Sequence, residues 1–183
     1  MSNNTQAAIE NMTDEYKKQL VKYLLQCIVS EGSKILLFSI ISLRLHLFSE
    51  FAFAMILLIL LRTNGGGLHF KHYISCLIVS FLVMFGSIVL GINFPLSNLI
   101  SGIILIISIV VGYQLVPVVS ANRPPATEKL IQKSKRNTTL ILITYLILIC
   151  IVPANRYTNI GVWIVVIHIC QLVLAKILRR RKK

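Results

Sequence analysis

Acidic side chains are scarce in this sequence. Its 183 residues hold 6 Asp and Glu against 19 Lys and Arg, a net charge of +13. Charged residues make up 14% of the chain, and 56% of it is hydrophobic. Soluble domains carry about 25% charged residues, so an ordinary soluble fold is excluded. No CxxC pair and no HExxH stretch occurs, which removes the usual thiolate metal frameworks and the zinc-peptidase helix. The 4 cysteines Cys27, Cys76, Cys150 and Cys170 are widely separated, and three lie among apolar neighbours as small hydrophobes. No metal and no cofactor is expected. The first 20 residues carry Glu10, Asp14, Glu15, Lys17 and Lys18, with no apolar core or small-residue cleavage site, so no secretory signal is expected.

Apolar sequence is what remains, with a mean hydropathy of +0.79. Runs near the ~20 residues that cross a bilayer recur along the chain. The fold class expected is all-α: a single-domain, polytopic integral membrane protein. Residues 1–32 form an amphipathic segment at the cytoplasmic face. Its apolar stripe, Ile9, Met12, Tyr16, Leu20, Leu24 and Cys27, opposes Asp14, Lys17, Lys18 and Lys22. Such a helix lies on the membrane surface or packs on the rest of the protein.

Residues 33–62 form a first apolar element whose centre is broken by Arg44, His46 and Glu50. A charge at mid-bilayer costs ~2.5–3.5 kcal/mol on insertion scales. These groups must face protein, water or an interface, and Arg44 is expected to pair with Glu50. The element is a polar-centred re-entrant or hairpin structure, or else one crossing. About four full transmembrane helices follow within 73–178, near Tyr73–Ile92, Leu99–Val119, Leu140–Val152 and Ile160–Leu178.

Basic residues cluster near the N-terminus, in the loop 121–136 (Arg123, Lys129, Lys133, Lys135, Arg136) and in the tail 179–183. With no soluble domain to grip nucleic acid, this is the pattern of positive-inside topology and of attraction to anionic membrane lipids. The connection 91–98 carries no charge and 153–159 carries Arg156 alone; both belong outside. Tyr73 then begins a span at the cytoplasmic side, and the stretch before it lies at the inner face.

That stretch is RTNGGGLHFKHYISC, Arg62 to Cys76, whose centre is the Gly-rich loop 63–72. A cysteine nucleophile acts as thiolate and needs a base. His72, four residues before Cys76, would be its neighbour on a helix. His69, seven before, would stand ~10 Å away along a continuous helix at 1.5 Å per residue. It reaches Cys76 only if the helix starts after it and the chain folds back, which Gly65, Gly66 and Gly67 permit. A helix start near His72 also puts Cys76 at the positive end of a helix dipole. A plain turn, solvated histidines and an inert cysteine remain the bland account.

The pattern Arg62-x4-Gly67-x-His69-x6-Cys76 at the start of a span resembles the accessory gene regulator B (AgrB) family. The likeness extends to the length, the amphipathic N-terminus, the central basic loop and the basic tail. It implies a multi-pass cysteine endopeptidase in the cell membrane of a Gram-positive bacterium, with its active site at the cytoplasmic face. Such an enzyme trims a small propeptide with an amphipathic leader and helps close a cyclic thiolactone or lactone, a quorum-sensing autoinducer. Carried over by position, the resemblance implies Cys76 as nucleophile and His69 as base. Arg62 and Gly67 match supporting positions, and Lys129, Lys133 and Lys135 match a region that handles the propeptide. It leaves the third catalytic group open among Asn64, Glu50 and Ser75, and a homodimer is the expected assembly. The competing readings are a small transporter, with Arg44, His46 and Glu50 lining a path, and a membrane scaffold without catalysis.

Overall fold

The computed structural model describes residues 29–67, 73–118 and 128–180. Among them all regular structure is helical. Most of the expected amphipathic segment 1–32, both histidines of the glycine-rich stretch, part of the basic loop and the end of the tail lie outside the described residues. The chain divides into two compact units, 1–44 and 45–183. The described part of the first is one helix, α1, over residues 29–44. Within it Lys34 Nζ pairs with Glu31 at 2.7 Å, and the Ser42 hydroxyl donates to the Ser39 carbonyl at 2.9 Å.

The second unit holds α2 (Phe48–Gly65), α3 (Tyr73–Asn93), α4 (Asn98–Leu115), α5 (Glu128–Ile151) and α6 (Arg156–Arg180). All five are long and apolar enough to cross a membrane. The first apolar element is thus broken where its polar centre predicts, at residues 45–47, with His46 at φ 57°. Its second half is by itself the length of a span: 18 residues at 1.5 Å each cover ~27 Å. Among the described residues five helices are thus long and apolar enough to cross, the four spans expected within 73–178 and this half of the first apolar element. Arg44 and Glu50 do not form the expected pair. Glu50, 2% exposed, is held by Arg156 at the start of α6 and accepts from the Ser49 hydroxyl at 2.8 Å.

Local chemistry explains the helix ends. Ser97 caps α4 by accepting from the Ile100 amide. Pro153 follows the end of α5, and Asn155 starts α6. The Asn155 side chain accepts from the Tyr157 and Thr158 amides at 2.9 and 3.0 Å, and the Thr158 hydroxyl accepts from the Asn155 amide at 2.9 Å. This reciprocal arrangement satisfies amides that the first helical turn leaves without partners. The basic stretch is helical from Glu128 onward. Lys129, Lys133 and Lys135 therefore ride on the first turns of α5 rather than in a loop.

α6 is the hub, packed on α2, α3 and α4. Ile160, Val162, Ile164, Val165 and Leu172 are wholly buried along it. Lipid is as apolar as these side chains, so helices in a membrane gain from close packing rather than from leaving water. At Gly91 the backbones of α3 and α6 meet: a Cβ there would stand 2.6 Å from Ile160 Cα. Polar side chains latch the same end. Asn159 accepts from the Leu96 amide at 3.1 Å, Asn98 donates to the carbonyls of Ile149 and Val152, and Tyr145 donates to the Thr158 carbonyl at 2.8 Å.

Gly91→Ala should destabilise the fold by ~1–3 kcal/mol, the usual cost of overpacking. Gly86→Ala, with nothing within 4 Å of its Cβ position, should leave stability unchanged or raised. Thermal unfolding of the two variants in one detergent tests the contrast.

Candidate functional site

The ends of the five long helices alternate, so one end of the second unit gathers the close of α2, the start of α3, the close of α4 and the start of α5. Contacts bear this out. The Val118 amide donates to the Gly65 carbonyl at 3.1 Å, beside a bridge between Gly66 and Val118. The Asn137 side-chain amide donates to the Asn64 side-chain oxygen at 3.0 Å. α2 itself runs on to Gly65, where the Gly66 amide donates to the Arg62 carbonyl at 3.0 Å.

The glycine run is a fitted seat. Gly66 sits at φ 81°, and a Cβ there would collide with the Val118 carbonyl oxygen. Both the left-handed backbone and the close approach require glycine. Buried Gly67 lies against the Arg62 guanidinium, whose Nε stands 3.5 Å from where a Cβ would be. Arg62 and Gly67, paired in the sequence motif, are thus in contact. Gly65 faces inward, with His168 Nε2 at 3.1 Å and Thr138 Oγ1 at 3.8 Å from its Cβ position.

Cys76 is the fourth residue of α3 and half-buried. It lies in the first turn, the positive end of the helix dipole. His69 and His72 lie outside the described residues. Lys129 and Lys133 are exposed on α5, while half-buried Lys135 sits 5.0 Å over the Tyr113 ring. With Gln132, Arg136, Thr139 and Leu140, those two side chains line a surface cavity of about 320 Å³.

Of the three groups considered as a further catalytic residue, Glu50 is excluded by position. It lies twelve residues before Arg62 on α2, ~18 Å along the axis, and is bound to Arg156. Asn64 is committed to Asn137 and, as donor, to the Leu60 carbonyl. Ser75 is half-buried beside Cys76.

Sequence reasoning passed over a set of buried polar groups. Ser80, Thr138, His168 and Gln171 are 8%, 2%, 1% and 7% exposed. Ser80 Oγ, Thr138 Oγ1, both His168 ring nitrogens and Gln171 Oε1 have no hydrogen-bond partner. A buried polar group left unpaired costs ~1–3 kcal/mol. The signal in the sequence was a histidine and a glutamine three residues apart in an apolar run, which share one helix face.

The family model of accessory gene regulator B, AgrB, matches residues 2–173. The chain belongs to the AgrB family. Membership ties it to processing of the accessory gene regulator autoinducer peptide. No curated protein and no solved structure matches the chain. The family match covers the glycine seat, Cys76, the start of α5 and most of α6.

Gly66→Ala should break the seat. Amide exchange at Val118 should rise by at least tenfold relative to the native protein, measured by hydrogen–deuterium exchange with mass spectrometry. Unchanged protection there would contradict the tight approach of Gly66 to Val118.

Proposed function

We propose that the chain is a membrane-embedded cysteine endopeptidase that cleaves a small autoinducer propeptide and passes its acyl group on to form a cyclic thiolactone or lactone. The observation that carries the reading is the gathering at one bundle end of Cys76 in the first turn of α3, the Arg62–Gly67 seat and the basic start of α5. Family membership supports the same reading. That end is assigned to the cytoplasmic face of a Gram-positive cell membrane, on the charge asymmetry of the sequence.

In the proposed reaction His69 accepts the Cys76 proton, and the sulfur attacks a peptide carbonyl. The C–N bond breaks, the amine of the C-terminal fragment leaves with a proton, and a thioester remains on Cys76. A thiol or hydroxyl within the peptide then attacks that thioester. The ring closes and the Cys76 sulfur is released. Exchange of one thioester for another keeps the activation only if water stays out, and apolar helices around the site supply that exclusion.

Arg62 and Gly67 act by fixing the chain that leads into residues 68–72. Lys129, Lys133 and Lys135 would attract an acidic segment of the propeptide, a contact that salt weakens. The propeptide's amphipathic leader would lie on the same leaflet, among the membrane lipids, and bring the cut site to the helix ends. A homodimer is the assembly this reading carries. The transporter reading loses its carboxylate, since Glu50 is engaged by Arg156.

Cys76→Ser should accumulate uncut propeptide when the pair is co-expressed and the products are weighed by mass spectrometry. His69→Ala should do the same, and His72→Ala should keep much of the processing. Ring formation by Cys76→Ser would overturn the mechanism, and the reverse result for the histidines would move the base to His72.

A further inference from the structure

Serines in the apolar helices of this protein commonly hide their hydroxyl by bonding back one turn. Ser87 donates to the Val83 carbonyl at 2.6 Å, and Ser108 to the Ile104 carbonyl at 2.8 Å. Ser80 does not. The carbonyl one turn before it is that of Cys76, yet Ser80 Oγ makes no hydrogen bond and the residue is 8% exposed. The hydroxyl is therefore buried and unspent, on the same face of α3 as Cys76 and one turn along.

Residues four apart on a helix have Cβ atoms ~5–6 Å apart. That spacing suits one role. When the Cys76 sulfur bonds to a substrate carbonyl carbon, the carbonyl π pair moves to oxygen, two bonds from the sulfur. A donor one helical turn away can reach the ~2.7–3.1 Å needed to hold that oxygen.

We propose that Ser80 donates its hydroxyl hydrogen bond to the oxyanion formed when Cys76 attacks the propeptide, and again when the thioester is attacked to close the ring. The inference rests on Cys76 being the nucleophile. In each step the Ser80 proton stays on its oxygen. The oxyanion pair returns to rebuild the carbonyl as the C–N bond, or later the C–S bond to Cys76, breaks. In a site walled by apolar helices such a donor acts with little competition from water, and in such sites one donor is worth ~10²–10³-fold in rate.

A purely structural use of the hydroxyl makes a different prediction. α3 and α6 run antiparallel, and Gly91 meets Ile160. Eleven residues back along α3 and eleven on along α6 bring Ser80 level with Gln171, whose Oε1 also has no partner. A Ser80–Gln171 bond would serve both groups, and removing either side would then have the same effect.

The test measures propeptide cleavage by the full chain in lipid vesicles, with Cys76 alkylation and thermal unfolding on each variant. Ser80→Ala should lower the turnover rate by ~10²-fold or more, with half-saturation by propeptide, alkylation of Cys76 and melting temperature near native. Ser80→Thr, which keeps a hydroxyl, should restore a large part of the rate. Gln171→Leu should cleave near the native rate. Native turnover in Ser80→Ala overturns the proposal, and so does an equal loss of turnover in Gln171→Leu. Cleavage by Cys76→Ala would instead overturn the nucleophile assignment itself, whatever Ser80→Ala does.

Discussion

The second unit depends on how closely other helices can approach α6. In a bilayer, helices gain nothing from escaping water, and contact distance sets the strength of their association. At Gly91 and Gly161 no side chain keeps neighbours away: the first admits the α6 backbone, the second the Tyr145 ring. α6 then becomes the most buried of the five long helices. Once it is central, the depth of every other group follows from these contacts. Glu50 meets Arg156 at one end, and Gly65 meets His168 near the other.

The two ends differ in chemistry. The Arg156 end is closed by short connections and satisfied hydrogen bonds, with Asn98, Asn155 and Asn159 each spending its side chain on backbone. The glycine end instead holds most of the polar groups that bond to nothing. A membrane protein that can satisfy its polar atoms so fully at one end has no chemical need to leave them unpaired at the other. That unspent hydrogen-bonding capacity is what separates the glycine end from the Arg156 end.

Much of this was legible in the sequence, where the physics is local. Span lengths follow from run lengths, the helix break at residues 45–47 from polar residues in an apolar run, and the strained turn at Gly66 from the glycine triplet. What escaped depends on tertiary partners. Arg44 was the nearest cation to Glu50 along the chain, yet the partner lies 106 residues on, across the packing of α2 on α6. Apolar run length understated α5, because its first turns are basic and yet helical. Ser80 and His168 could be seen as polar residues in apolar runs, but their lack of partners is a property of the packed helices alone. The likeness in Arg62, Gly67, His69 and Cys76 pointed to the AgrB family, which the family match bears out; the roles of those residues rest on the proposed chemistry.

The Glu50–Arg156 pair also bears on how the chain is threaded into the bilayer. Arg156 is the sole charge of its connection, and unpaired it would weaken the electrical contrast that orients the protein. Bound to a carboxylate from α2, it adds no net positive charge at that end. A cation that counts against the orientation while the chain is being inserted is cancelled once α2 and α6 have met, so assembly itself strengthens the preference for the final orientation.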